Sequence, residues 1–167
     1  KIEEIGNLDK ETIIQYTTSI CDALTHAVDN SDAPLVHRDI KPSNIGFSSD
    51  GKLKLCDFGI SKQVDSEGTA AVRGTFPYAS PQQLRNDITI KNDIYSLGVV
   101  MYEMLTGDLP ITPEDQTYIG WLNAHRDQSI PFIANEFDVP KELERIVRKC
   151  LSKESNERYA HPNDLKL

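Results

Sequence analysis

Apolar residues near the start of the chain recur at intervals of three and four, the spacing that places side chains on one face of an α-helix. This stripe consists of Ile13, Thr17, Ile20, Leu24 and Val28. Asp9 precedes it as a candidate N-cap, and the polar run at 29–34 ends in a proline, which breaks helices. The pattern predicts a long amphipathic helix over residues 10–28.

Two later stretches also have helical spacing, but they differ in how much of their surface is apolar. Residues 93–106 are apolar nearly all round, which is typical of a buried central helix, and Gly107 follows as a stop signal. After Pro140 a narrower stripe predicts another amphipathic helix, and a short helix is expected around 118–122. Trp121 in that short helix is expected to lie in the core or at an interface.

Short strand-like segments lie between the first helix and the central one. Residues 45–47 and 53–55 flank Asp50-Gly51, which is a strong hairpin signal. The expected fold class is therefore α+β and predominantly α-helical, with a short β-hairpin.

The residues around this hairpin carry the chemistry of the chain. The segment 36–44 is too irregular for a helix and presents Asp39, Lys41 and Asn44, while Asp57 follows the second strand. Phosphoryl transfer needs a carboxylate to receive a hydroxyl proton and an ammonium group on the moving phosphate. It also needs an amide oxygen and a second carboxylate for Mg²⁺. These four side chains supply that set.

The order of these motifs is specific enough to indicate a family. His37-Arg38-Asp39 through Asn44, followed by Asp57-Phe58-Gly59, resembles the catalytic core of the eukaryotic-type (Hanks-type) serine/threonine protein kinases. The resemblance implies a kinase that uses ATP and Mg²⁺ and acts on a protein substrate. It also implies a catalytic loop at 37–44 and a kinase-like fold.

The resemblance gives each chemical residue a role. Asp39 is implied as the catalytic base and Lys41 as the group that neutralises the γ-phosphate. Asn44 and Asp57 are implied as Mg²⁺ ligands. Gly46 stands where the family usually has a large apolar residue beneath adenine, so it marks either a β-bulge, a gap filled by neighbours, or weaker purine packing.

Residues 57–82 resemble an activation segment that ends in a substrate-binding loop. Arg38 follows the pattern of kinases regulated there, because a guanidinium can pair bidentately with a phosphate. Ser66 and Thr69 are the candidate phosphate acceptors, with unmodified solvated hydroxyls as the alternative. Thr75 resembles the threonine that contacts the catalytic residues in the serine/threonine branch, which implies Ser or Thr substrates.

Structural roles are implied for His37, Phe58, Gly59, Gln82, Asp93 and Arg158. Asp93 is expected either to accept backbone hydrogen bonds from the catalytic loop or to act as a plain N-cap. Gln82 replaces the glutamate that pairs with an arginine in relatives, here Arg158. A neutral partner should weaken that anchor, so Gln82→Glu is expected to add ~1–2 kcal/mol of stability.

Other kinase elements are missing from the sequence. No two of the nine glycines are separated by a single residue, so no G-x-G-x-x-G phosphate loop can be drawn. Only 36 residues precede His37, too few for a small lobe. The resemblance therefore covers the large C-terminal lobe alone over 1–167, with the N-lobe absent and expected to be supplied by a parent chain. A non-catalytic kinase-like scaffold or binding module is the alternative.

Composition narrows the class of partners and the compartment. The chain has 167 residues, 38% of them hydrophobic, and a formal net charge of −8, which argues against nucleic acid as a partner. No apolar run approaches the length of a membrane span. Cys21, Cys56 and Cys150 are widely spaced and are expected to be buried thiols in a reducing, cytoplasmic setting.

Overall fold

The computed structural model describes residues 8–31, 35–58, 76–133, 137 and 139–165. The helices and strands in chain order are α1 (Lys10–Asp29), β1 (Ile45–Phe47), β2 (Leu53–Leu55), α2 (Ile90–Thr106), α3 (Tyr118–Asp127) and α4 (Lys141–Cys150). Short 3₁₀ turns lie between them and at the C-terminal end. The expectation of a predominantly helical chain with a short hairpin is confirmed.

Helix α1 begins where its capping residue predicts. The Asp9 carboxylate accepts hydrogen bonds from the backbone N–H of Thr12 (2.9 Å) and from its hydroxyl (2.6 Å). The helix extends one residue beyond the predicted end, to Asp29. Its buried stripe packs against β2, α2 and the turn Pro162–Leu165.

Helix α2 is the centre of the core, and residues 92–102 are all buried. It begins at Ile90, three residues before the predicted start, because the Asn92 side chain accepts a hydrogen bond from the Thr89 backbone N–H (2.5 Å). Gly98 permits a close approach to α4, since an added β-carbon there would lie 2.7 Å from Cβ of Cys150. Helices α2 and α4 therefore pack closely at Gly98 and Cys150.

The hairpin is regular and antiparallel. Ile45 pairs with Leu55 and Gly46 pairs with Lys54, so the β-bulge considered for Gly46 is absent. Gly51 has a φ of +78°, a left-handed conformation that glycine adopts without strain.

Exposure corrects one prediction about the cysteines. Cys21 and Cys150 are buried, whereas Cys56 is exposed. The reason is strand alternation: Leu53 and Leu55 are half-buried and Lys54 is exposed, and Cys56 continues on the exposed side.

A second apolar cluster lies under the segment that leads into α2, and consists of Phe76, Ala79, Leu84, Ile111, Trp121 and Ala124. Trp121 is 4% exposed, which confirms the prediction of a core residue. Across the described residues, no helix is both long and apolar enough to cross a membrane.

Candidate active site

Three of the predicted site residues meet in the loop between α1 and β1. The buried Asp39 carboxylate is 3.0 Å from Nζ of Lys41 through Oδ1. Its Oδ2 accepts from Nδ2 of Asn44 (2.9 Å), and the same amide donates to the Asp39 carbonyl (2.7 Å). The 3₁₀ turn Pro42–Asn44 folds the chain back to make these contacts.

Asp93 binds the start of this loop through both oxygens of its carboxylate. Its Oδ2 accepts from the backbone N–H of His37 (2.7 Å) and its Oδ1 from that of Arg38 (2.9 Å). Of the two roles considered, it therefore takes the loop-binding one, and the N-cap of α2 is Thr89. Burial raises the pKa of Asp93 to about 7, while the two N–H bonds and the charge of Arg38 act to lower it.

His37 is a packing group whose tautomer follows from its partners. Its Nε2 lies 3.0 Å from the Cys56 carbonyl, which can only accept, so Nε2 carries the proton. Nδ1 then accepts from the backbone N–H of Asp39 (3.3 Å). The ring also lies 4.4 Å from that of Phe58, centroid to centroid. The imidazole thus joins the catalytic loop to the strand that leads to Asp57.

Asp57 lies at the exit of β2, next to the catalytic loop. The Cys56 backbone N–H donates to the Asn44 carbonyl (2.9 Å), which places the residue before Asp57 against Asn44. Asp57 is exposed and has a φ of +59°, in the left-handed region. Because Nδ2 of Asn44 donates to Asp39, Oδ1 is the acceptor end of this amide.

This donor set fits Mg²⁺. Mg²⁺ prefers oxygen ligands and is usually held by one or two protein groups together with phosphates and water. Asn44 Oδ1 and the Asp57 carboxylate are such oxygens. No group of three or more His, Cys, Asp or Glu side chains able to hold a metal is found in the part of the chain that the structure describes.

Gly46 leaves open space on the hairpin. An added β-carbon would meet no atom of the described residues within 4 Å. A gap filled by neighbours is therefore not what the described residues show.

Four predicted residues, Gly59, Ser66, Thr69 and Thr75, lie outside the described residues. Arg38, the predicted partner of a phosphate on Ser66 or Thr69, is described, and it has a φ of +67°. Its Nε is buried and has no hydrogen-bond partner among the described residues.

Arg158 binds the segment that precedes α2 through Gln82. It is 4% exposed, and its Nη2 donates to Oε1 of Gln82 (2.7 Å) and to the Lys153 carbonyl (3.1 Å). Nε donates to the Ser152 carbonyl (2.8 Å) and Nη1 to the Lys91 carbonyl (3.1 Å). Burial lowers the pKa of Arg158 to about 10, so the guanidinium remains charged at neutral pH.

Gln82 completes that anchor with both ends of its amide. Besides accepting from Arg158, it donates through Nε2 to the Lys153 carbonyl (2.8 Å). Lys153 itself donates through Nζ to the His125 carbonyl (2.9 Å), and burial lowers its pKa to about 8. Gln82 and Arg158 are therefore in contact, as the sequence predicted, but every acceptor around the guanidinium is neutral.

Three residues that sequence reasoning did not single out join these two anchors. Gln83 donates through Nε2 to the Arg38 carbonyl (2.7 Å). The hydroxyl of Ser80 accepts from the Gln83 backbone N–H (3.0 Å) and from Nδ2 of Asn92 (2.6 Å). The Thr89-x-x-Asn92 spacing is a capping signal that could have been read, but the sequence carries no signal for Gln83.

Comparison with known protein families assigns the sequence to a class. The protein kinase domain model matches residues 1–166, nearly the entire chain. The chain therefore belongs to the protein kinase family.

Curated relatives refine the class to the serine/threonine branch. The chain is 42% identical over 128 residues to serine/threonine-protein kinase A of Synechocystis sp. The aligned region covers 72% of this chain and 25% of that protein. It is 35% identical over 160 residues to PknB of Mycobacterium tuberculosis, covering 92% of this chain and 25% of the relative. A probable serine/threonine-protein kinase of Clostridium acetobutylicum is 35% identical over 168 residues, with 98% and 25% covered.

These relatives confirm the prediction of a serine/threonine protein kinase family member. The chain spans about a quarter of the length of the curated relatives that it matches.

Proposed function

We propose that residues 1–167 form the large C-terminal lobe of a serine/threonine protein kinase domain. Together with a small lobe from its parent chain, this lobe phosphorylates Ser or Thr hydroxyls of protein substrates. The family match and the names of the relatives support protein phosphorylation. The lack of a G-x-G-x-x-G loop in the sequence supports the assignment to one lobe. A cytoplasmic, reducing setting for this lobe is part of the same proposal.

The observation that carries the proposal is the position of the Asp39 carboxylate between Lys41 Nζ at 3.0 Å and Asn44 Nδ2 at 2.9 Å. A carboxylate fixed at both oxygens can orient a hydroxyl and receive its proton without reorganising. Lys41 is a cation directly beside that position and would neutralise charge on the transferred phosphate. Catalysis of phosphoryl transfer rests mainly on such positioning and charge.

Mg-ATP is the cofactor that these residues fit. When bound, it supplies the phosphoryl group and a cation that neutralises the phosphate charge. Asn44 Oδ1 and the Asp57 carboxylate would hold the metal. Gly46 offers no side chain to the purine, so we infer that most adenine contacts come from the small lobe.

The regulatory part of the proposal rests on Arg38. Its buried Nε has no partner among the described residues, and an unpaired guanidinium N–H favours an anionic partner. A phosphate on Thr69 or Ser66 would provide that partner, and Thr75 would position the substrate segment near Asp39.

The test compares the parent protein with the 167-residue chain in a peptide phosphorylation assay with Mg-ATP. We expect the parent to be active and the isolated chain to show negligible turnover. Asp39→Asn in the parent should lower kcat by about 10²-fold or more, because it removes the proton acceptor. Asp108→Asn is the matched control, since Asp108 is exposed and lies at the far end of α2.

Two outcomes would overturn parts of this proposal. Clear peptide phosphorylation by the isolated chain would contradict the one-lobe assignment. A parent protein that binds ATP without transferring phosphate, with Asp39→Asn having no effect, would instead favour the non-catalytic binding module.

A further inference from the structure

The peptide that precedes the proposed catalytic base is strained. Arg38 has a φ of +67°, in the left-handed region that a residue with a long side chain rarely adopts. Such a conformation is unfavourable and persists only when its surroundings impose it. Because Arg38 is bonded directly to Asp39, whatever imposes this conformation also sets the direction of the Asp39 side chain.

Two side chains impose it, one on each polar group of the residue. Oδ1 of Asp93 accepts from the Arg38 N–H (2.9 Å). Nε2 of Gln83 donates to the Arg38 carbonyl (2.7 Å). If the Gln83 amide were turned the other way, its oxygen would face the carbonyl, so the contact also fixes the amide orientation.

Both side chains are tied to the same turn of α2. Asp93 belongs to that turn, and its neighbour Asn92 donates through Nδ2 to the Ser80 hydroxyl (2.6 Å). The same hydroxyl accepts from the Gln83 backbone N–H (3.0 Å), which fixes the start of the short turn Gln83–Arg85. The contacts form a closed ring that starts and ends at the first turn of α2.

We propose that Gln83 is a positioning residue that couples the segment before α2 to the catalytic loop by holding the Arg38 carbonyl. The inference rests on the proposed phosphoryl-transfer function. It adds that the alignment of Asp39 depends on residues 76–85 keeping their place on α2. If that segment moves away, the Arg38 carbonyl loses its donor and the strained peptide is free to relax.

The experiment uses the full-length protein that carries this chain and three variants. Gln83→Ala removes the donor, and Gln83→Glu replaces it with an acceptor of nearly the same shape. Gln128→Ala is the control, because Gln128 is an exposed glutamine at the end of α3. Peptide phosphorylation gives kcat and KM, and hydrogen exchange reports on the amides of residues 36–41.

For both Gln83 variants we expect kcat to fall about tenfold, the loss equivalent to one hydrogen bond of ordinary strength. KM for peptide and for ATP should stay within about twofold, because no substrate contact is removed. Exchange at 36–41 should become faster in both variants and remain unchanged in Gln128→Ala.

An unchanged kcat, or an unchanged exchange rate at 36–41, would overturn the proposal. So would a parallel rise in KM with a lower melting temperature, since that pattern indicates general loosening of the fold. If the unmodified protein transfers no phosphate, the proposed function fails, and the exchange comparison still decides whether Gln83 holds the loop.

Discussion

Two buried ions of opposite sign meet the first turn of helix α2. Asp93 is part of that turn, and Arg158 follows α4 and donates to the Lys91 carbonyl of the same turn. Asp93 is a carboxylate that accepts two backbone N–H groups of the catalytic loop, and Arg158 is a guanidinium that donates to backbone carbonyls and to Gln82. No salt bridge is found for either one within the described residues. In each case hydrogen bonds to amide groups of the protein satisfy the buried charge, and for Asp93 the charge of Arg38 acts in the same direction.

The two ions differ in how far burial moves them toward neutrality. Burial raises the pKa of Asp93 to about 7 and lowers that of Arg158 to about 10. The pKa of the guanidinium remains well above neutral pH, so Arg158 stays charged. The pKa of the Asp93 carboxylate lies near neutral pH, so its charge changes there. The contact that holds the catalytic loop is therefore the one that pH can change.

Arg158 and Asp93 also differ in the number of chain segments that each side chain binds. Arg158 has five N–H donors and joins four groups on three stretches of chain, so the loss of one acceptor leaves the others in place. Asp93 has two oxygens, and both are used on consecutive residues of a strained loop. The anion should consequently be the more sensitive of the two anchors.

The largest expected effect comes from Asp93→Ala. It leaves the buried N–H groups of His37 and Arg38 without acceptors, and each costs about 1–3 kcal/mol. We expect a loss of about 4 kcal/mol in the free energy of unfolding at pH 7, measured by urea denaturation, and a loss of any phosphotransfer activity. A loss under about 1 kcal/mol would show that water or another group takes over both donors.

The pH dependence of the Asp93 contact has a defined sign. Because the folded-state pKa lies near 7 and the ordinary value is 3.8, the folded chain holds a proton between these values that the unfolded chain has released. Stability contributed by the protonated group is therefore full below about pH 4 and is lost as pH rises to 7. The total is at most roughly 4 kcal/mol.

Asp93→Asn cannot titrate, so subtracting its unfolding free energy from that of the unmodified chain cancels the other groups. We expect this difference to fall between pH 4 and 7 and to be flat above 7. A difference that rises as pH increases toward 4 and is flat between pH 4 and 7 would show that the two N–H bonds outweigh burial and hold the pKa below its ordinary value.

The sequence was a partial guide to both anchors, Asp93 and Arg158. Asp93 opens an apolar helix, and its loop-binding role was one of two open alternatives until the N-cap at Thr89 and the bonds to His37 and Arg38 were seen. Those bonds join residues about 55 positions apart, and spacing along a chain cannot reveal them.

For Arg158, the partner was predicted but its surroundings were not. Gln82 lies 76 residues away and was expected from the family pattern, whereas the Ser152, Lys91 and Lys153 carbonyls are backbone groups with no residue-type signal. Gln83 escaped notice for a related reason, because its partner is also a carbonyl. A contact between two side chains can be predicted from the two residue types. A contact between a side chain and a backbone carbonyl mostly cannot, because every residue has that carbonyl.

Arg158→Lys tests whether the cation is held by its charge or by the number of its donors. Lysine keeps the charge but offers three donors from one atom, so it cannot reach acceptors on three stretches at once. We expect a loss of about 2 kcal/mol in unfolding free energy. Arg145→Lys is the matched control, because Arg145 is exposed and pairs with the exposed Glu142. A variant as stable as the unmodified chain would show that charge alone is sufficient.

The smallest effect concerns Gln82→Glu, which the family pattern favoured as stabilising by ~1–2 kcal/mol. The described contacts reduce that expectation. A carboxylate would strengthen the contact with Arg158, but its second oxygen would replace the Nε2 donor that lies 2.8 Å from the Lys153 carbonyl. Two acceptors would then face each other, which offsets the gain from the charge. We therefore expect a net change under about 1 kcal/mol in unfolding free energy.

Gln82→Ala provides the reference, since it removes both bonds and should cost about 2 kcal/mol. The decisive comparison repeats Gln82→Glu in an Arg158→Lys background, because a true ion pair must show coupling between the two positions. If Gln82→Glu adds about 2 kcal/mol and this gain shrinks with Arg158→Lys, the carbonyl of Lys153 must move aside for the carboxylate. The neutral amide would then be a weaker substitute and not the better fit, and the contrast between the two anchors would narrow to a difference in donor number alone.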